Sequence, residues 1–227
     1  MRHKVIIYLF CMSLVVLSGC KESAFKSIDE GEIHYNIRFV DRNAVLPDDL
    51  MPDKLVIKFK DDKILMEIES PIGNNGVYNI IDPEKKEIKT YFRIMGIKYY
   101  YTGTTDEIPP GIDPMSDMTI EYTDQSSTIL DFECRKAVVN LPGRDLSYGL
   151  WYTDEIDIDS PNLSNPFQGI DGVLMNFFFL MGDIIVEFDA EAIYHRDVPD
   201  KDFEKKENYR RIDRKSMDDL ITSMMNL

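Results

Sequence analysis

The stretch VLMNFFFLMGDIIVEFDAEAIY, residues 173–194, decides the fold. From Ile184 onward, Val186, Phe188, Ala190, Ala192 and Tyr194 alternate with Glu187, Asp189 and Glu191. That period of two marks a strand with one buried face. Residues 173–180 are apolar on both sides apart from Asn176, so this strand must be covered on both faces or offer one of them to a ligand. Met181-Gly182-Asp183 turns the first strand back into the second, which makes the pair an antiparallel hairpin.

The same pattern runs outward from this hairpin. Upstream, Ile33, Tyr35, Ile37 and Phe39 alternate with His34, Asn36 and Arg38. After an irregular link at 46–52, strands at 55–60 and 64–69 flank Asp61-Asp62-Lys63. A turn cluster, PIGNNG, fills 71–76, and strands at 77–81 and 87–94 flank Pro83-Glu84-Lys85-Lys86. Gly96 breaks the pattern before a strand at 97–101. A loop rich in Thr, Asp, Pro and Gly covers 102–117. Strands follow at 118–123, 127–134 and, after a kink, 135–141. Pro142-Gly143-Arg144-Asp145 is a turn. In the next strand, 146–153, Leu146, Tyr148, Leu150 and Tyr152 share one face and Trp151 takes the other. A second long loop runs from 154 to about 169; loops this long in compact domains are often functional.

The period changes only at the end of the chain. Met217, Leu220, Ile221 and Met224 fall at i, i+3, i+4 and i+7, an amphipathic helix. Ser216 with Asp219 three residues on reads as its capping box. The stripe suits packing onto the sheet, or a partner or membrane surface. Hairpins throughout argue against βαβ units. The expected fold is therefore mainly β (α+β): a large curved antiparallel sheet with a short C-terminal helix.

The first twenty residues carry a different message. Arg2, His3 and Lys4 form a basic start, Val5 to Leu17 is almost wholly apolar, and Leu17-Ser18-Gly19-Cys20 closes the segment with small residues. This is the layout of a secretory signal, and its apolar run is too short for the roughly 20 residues of a spanning helix. The ending resembles the lipobox of bacterial lipoproteins. That resemblance implies lipidation of Cys20, cleavage before it, and anchoring through two or three acyl chains. The expected organisation is a signal peptide at 1–19, a lipidated Cys20 with a polar tether to residue 30, and one β-rich domain at 31–227.

Removing 19 of 227 residues leaves 208, and removing Arg2 and Lys4 from the 26 basic residues leaves 24 against 41 acidic, a net charge of −17. Nucleic acid, whose phosphates need Lys and Arg contacts, is excluded as a partner. Of three cysteines, Cys11 leaves with the signal and Cys20 takes lipid. Cys134 is left with no intramolecular partner; it reads as a small buried hydrophobe, with a nucleophile or an intermolecular bridge as the alternatives.

Catalytic chemistry has little support. The two histidines of the mature chain, His34 and His195, lie in no recognisable motif. Ser147-Tyr148-Gly149 only echoes a nucleophile elbow, because Asp145 stands where its first glycine belongs. Asp154, Glu155, Asp157 and Asp159 could offer oxygens to calcium, but the run lacks the glycine and distal Glu of an EF-hand loop, and a solvated acidic loop is the plainer reading. No catalytic residue, metal site or cofactor is expected. Paired carboxylates for glycoside hydrolysis stay open as an alternative.

Three segments carry a family resemblance: Cys134-Arg135-Lys136-Ala137, Leu150-Trp151-Tyr152-Thr153-Asp154-Glu155-Ile156, and Gly169-Ile170-Asp171-Gly172-Val173-Leu174. In this order they resemble secreted Bacteroidota proteins of the DUF4412 and GLPGLI kind. Phe203 and Tyr209-Arg210-Arg211-Ile212 resemble their closing segment. Asp171-Gly172 departs from the Pro-Gly of a GLPGLI turn. These families look similar in architecture to the LolA/LolB lipoprotein-carrier fold, an incomplete barrel closed by helices over an apolar cavity. The resemblance implies no catalytic residues.

The sequence thus leads to a non-enzymatic lipoprotein, anchored by N-terminal lipid in the cell envelope, at the outer membrane. It would bind an apolar, lipid-like ligand or an envelope protein. Tyr148, Trp151, Phe177 and Phe179 are the candidate ligand-binding residues. An accessory subunit of an envelope or glycan-uptake complex, binding through the acidic loops, is the second reading, and an envelope hydrolase the third.

Overall fold

The structure, a computed structural model, describes residues 28–40, 51–71, 75–182 and 184–225. The signal segment, Cys20 and the tether up to residue 27 lie outside the described residues. Twelve strands form one open antiparallel sheet, not closed into a barrel, in the order β12-β6-β5-β4-β3-β2-β1-β11-β10-β9-β8-β7. The first half is an up-and-down run: β1 (Glu30–Val40), β2 (Lys54–Lys60), β3 (Lys63–Glu69), β4 (Gly76–Asp82), β5 (Glu87–Ile94) and β6 (Ile97–Thr104). The chain then crosses to the far edge and returns through β7 (Thr119–Ile129), β8 (Phe132–Leu141), β9 (Leu146–Thr153), β10 (Val173–Met181) and β11 (Ile184–Tyr194). The opening hairpin sits at the seam: β11 pairs with β1 over Glu32↔Tyr194 to Val40↔Ile185, joining the two halves. The short β12 (Arg210–Arg211) adds to β6 in a parallel pairing.

β10 is buried along nearly its whole length. Phe177 stacks on Phe188 with ring centres 4.8 Å apart and meets Tyr35 edge-on at 5.5 Å. Phe178, on the other side of the strand, packs against Tyr148 at 4.6 Å. The same two-sided burial explains β4, where every residue is buried. Val77 and Ile81 join the main core, while Tyr78 and Ile80 join a smaller one with Leu65, Tyr91, Val198 and Phe203. The second core exists because residues 195–213 run back over that side of β1–β6. Three ion-pair groups pin this strap: Glu32 with Arg196, Lys60 with Asp200, and Lys58 with Asp202.

The main core is closed by the two long loops and by α1 (Arg214–Met225). Ile112 and Met115 from the first loop, Phe167 and Ile170 from the second, and Met217 and Ile221 from the helix are all buried in it. The helical stripe therefore packs inward. Its cap differs from the expectation. Asp213, not Ser216, caps the helix, accepting from the Ser216 backbone N–H at 2.9 Å and the Ser216 hydroxyl at 2.8 Å. Asp219 pairs with Lys215 instead.

One boundary also moves. The expected strand at 127–134 is interrupted by a hairpin turn at Leu130-Asp131, both left-handed at φ 51° and 69°. Glycine, asparagine or aspartate usually marks such a two-residue turn. A leucine in the first position hid it. The expected strand break at 124–126 is instead a bulge within one strand, β7.

Candidate functional site

The four residues singled out in the sequence do not form one site. Phe177 and Phe179 are 1% and 2% exposed and belong to the filled interior. They line a void of about 40 Å³, and a second void beside Phe179 has the same size. Ligand pockets occupy roughly 300–1,000 Å³, so this space suits a water or two rather than an acyl chain. Trp151 is half-buried on β9, opposite Asn176 of β10, with the Lys136 ammonium 5.9 Å from its ring. Tyr148 is half-buried against Phe178 and next to Glu187. Its burial, and then the charges of Glu187 and Asp189, push its phenol up to about 12.

The interior is sealed by polar as well as apolar contacts. Asn162 is buried and donates to the carbonyls of Ile170 at 2.8 Å and Gly172 at 2.9 Å. The Ser164 hydroxyl donates to the Thr105 carbonyl at 3.3 Å, tying the two long loops together. Tyr35 sends its hydroxyl to the Leu174 carbonyl at 2.8 Å, and burial raises its pKa.

The larger opening lies at the other end of the sheet order, along β7, β8 and β9. Its origin is the β7 bulge: Tyr122 pairs with Ala137 and Ser126 with Arg135, so Thr123, Asp124 and Gln125 together face Lys136 alone. A bulge of this kind bends the edge strand and re-aims its side chains. Thr123 holds it by donating to the Lys136 carbonyl at 3.0 Å, and Lys136 reaches back to Gln125 at 3.1 Å. The result is a groove of about 670 Å³. Tyr122, 56% exposed, stands over it. Its hydroxyl donates to the Gly169 carbonyl, and its ring meets Tyr152 edge-on at 6.2 Å. Burial, followed by Tyr152 and Asp171, raises the Tyr122 pKa. Arg135 lies 5.3 Å over the Tyr152 ring and pairs with Asp154 at 2.5 Å. Asp124, Glu133 and Asp171 add carboxylates to the wall.

The three segments that carried the resemblance converge on this groove. Arg135 pairs in register with Tyr152, and Leu174 with Tyr152 from the other side. Tyr122 lies outside those segments, and its exposure depends on a bulge that no periodicity signals.

The groove offers one exposed aromatic ring, Tyr122, over the buried ring of Tyr152, together with one guanidinium, amide and hydroxyl groups, and a surplus of carboxylates. Among the described residues no group of three His, Cys, Asp or Glu side chains is placed to hold a metal ion. Cys134 is fully buried with its thiol 3.5 Å from the Phe132 carbonyl, and burial raises its pKa. His34 is held by Glu32 at 3.1 Å.

No family model matches the chain, and no curated protein matches it. Among solved structures, PNGF-II is similar in fold, with a TM-score of 0.51, 15% identity and 85% of this chain covered. The chain spans about a third of that protein, 32% of its length. At this identity the likeness concerns the fold alone.

Proposed function

We propose that the chain is a lipid-anchored cell-envelope protein, held at the outer membrane through Cys20, that binds a short hydroxylated ligand such as an oligosaccharide in the β7–β9 groove. The observation that carries this reading is the contrast in space and lining. The groove measures about 670 Å³ and presents Tyr122 above a buried Tyr152, whereas the interior voids are about 40 Å³ each. Aromatic faces pack against the C–H faces of sugar rings, while carboxylates, amides and a guanidinium hydrogen-bond the hydroxyls. The carboxylate surplus disfavours anionic ligands. This reading gives weight to the glycan-associated accessory role over a lipid carrier. The protein partner expected at the acidic loops fits the same location, since Asp154 and Asp171 belong to the loop that borders the groove.

The test is a calorimetric titration of the mature chain with neutral, acidic and amino-sugar oligosaccharides, repeated with Tyr122→Ala. Binding of a neutral or amino sugar, weakened tenfold or more by Tyr122→Ala (about 1.4 kcal/mol), supports the reading. Co-purified phospholipid that Tyr122→Ala leaves in place would overturn it.

A further inference from the structure

The β5–β6 hairpin closes with Met95-Gly96, both left-handed at φ 47° and 81°. Two consecutive positive φ values between paired strands form the type I′ turn, whose first position favours Asn, Asp or Gly. Here it holds methionine, 89% exposed, followed by Ile97 at 50%. Two of the five large apolar side chains exposed among the described residues thus crowd one tip. Nothing in the hairpin's own folding calls for them: the turn would close better with asparagine, and Met95 gains no packing.

The charge around this tip is also locally positive. The full chain carries a net −15. Yet Arg93 and Lys98 face each other across the last pairs of the hairpin, and Arg210 and Arg211 lie beside Tyr99 and Tyr100 on the neighbouring edge strand. Lys205 and Lys206 sit over the rings of Tyr100 and Tyr78 at 5.1 and 4.8 Å, and Lys98 over Tyr209 at 5.6 Å. Arg93 is held by Tyr78 at 2.7 Å and loosely by Glu69 at 3.5 Å. Glu204 and Glu207 lie on the same strap. Among the described residues, however, no ion pair engages Lys98, Lys205, Lys206, Arg210 or Arg211. Elsewhere Lys54, Lys58, Lys60, Lys85 and Lys89 find carboxylates, while Lys63, Lys86, Lys136 and Lys201, scattered over the sheet, engage in no ion pair among the described residues. Five cations with no ion pair, gathered on the strands and strap next to an apolar tip, form a surface complementary to an anionic layer with an apolar interior.

We propose that the β5–β6 tip and the cations around it dock this domain onto a phospholipid bilayer. Met95 and Ile97 enter the boundary between headgroups and acyl chains, and Lys98, Arg210 and Arg211 meet lipid phosphates, their aliphatic stems lying along the apolar layer. This contact is independent of the sugar reading, since the groove lies at the opposite edge of the sheet. It is also compatible with a lipid anchor on Cys20. Glu30, where the described chain enters the sheet, and the Met95 tip lie at opposite ends of the strands. The eight residues of β5 span about 26 Å. That span is within the extended reach of the ten residues between Cys20 and Glu30, about 33–36 Å, so the tip and a lipid on Cys20 can engage one membrane.

The test is hydrogen–deuterium exchange on the full chain, with and without mixed phosphatidylcholine–phosphatidylglycerol vesicles. Because the readout is local, binding through residues 5–17 does not mask it. The expected result is exchange slowed about tenfold at residues 93–99, with weaker slowing on phosphatidylcholine alone. Met95→Asn suits the turn and keeps the fold, and it should abolish this protection. Replacing Arg210 and Arg211 with Gln should reduce it and remove its dependence on anionic lipid. Unchanged exchange at 93–99 in vesicle-bound wild-type protein would overturn the proposal. So would protection that survives Met95→Asn, or protection that arises only when a protein partner is added.

Discussion

Asn162→Ala is the substitution that weighs the seal over the interior. The Asn162 side chain donates to two carbonyls, of Ile170 and Gly172, and accepts from the Asn165 amide at 2.9 Å. It is 4% exposed. Alanine removes both donors and leaves two buried carbonyls without them. An unpaired buried acceptor costs about 1–3 kcal/mol. The two carbonyls together then cost about 2–4 kcal/mol, since each retains a second lone pair that other donors can approach. For a domain of this size about 1 kcal/mol moves Tm by roughly 2–4 °C, so a fall of about 4–16 °C is expected. Urea unfolding followed by Trp151 fluorescence gives the free energy, with an unchanged m-value marking a true loss of stability. The same variant should bind an apolar dye that the wild type excludes, because residues 154–172 close the core around Phe167 and Ile170. A loss under about 0.5 kcal/mol, or dye binding equal in both proteins, would refute the view that this loop seals a filled interior.

Three further outcomes follow from local geometry. Asp82 is buried, which pushes its pKa up, but the Lys85 ammonium at 2.6 Å and the Lys85 N–H at 3.1 Å outweigh that and hold it below the ordinary aspartate value. A folded-state pKa that is depressed contributes stability above the unfolded value of 3.8 and loses it as pH falls toward the folded one. Asp82→Asn should therefore flatten the acid limb of a Tm-against-pH curve, and an unaltered limb would contradict this. Gly111→Ala places a Cβ 2.4 Å from Ile221 Cγ2 at a φ of +87°. It should cost about 1–3 kcal/mol, read by calorimetry as a lowered Tm. Cys134 should resist a thiol reagent in the native protein and react fully once unfolded, as a buried thiol with a raised pKa does; rapid native labelling would contradict its burial.

The strands were legible wherever side-chain alternation was strong. β1 and β11 read directly from Ile33-to-Phe39 and Val186-to-Tyr194 because one face is buried and the other carries charge. The C-terminal helix was legible from Met217, Leu220, Ile221 and Met224, but its cap was not, since Asp213 and Ser216 are both good capping residues three positions apart. The β7–β8 turn escaped because Leu130 adopts a conformation that its residue type disfavours. The strap at 195–213 has no periodicity, and only the sheet it covers gives it order, through Val198 and Phe203. The groove was the least legible feature. Arg135, Tyr152 and Asp154 stood in quoted motifs, but what joins them to Tyr122 is a bulge and a long-range pairing, neither of which leaves a local pattern. The aromatic residues of β10 leave core and ligand surface open in the sequence, and the structure spends Phe177, Phe178 and Phe179 on its own core.

The central claim is that ligand is taken at the β7–β9 groove and not in the interior. Backbone and aromatic NMR shifts of residues 21–227, followed while oligosaccharide is added, test it most directly. The account predicts saturable shifts at Tyr122, Arg135, Tyr152 and Asp171, with Phe177, Phe179 and Phe188 unmoved. Shifts confined to Phe177, Phe179 and their neighbours, whether with sugar or with added lipid, would contradict it.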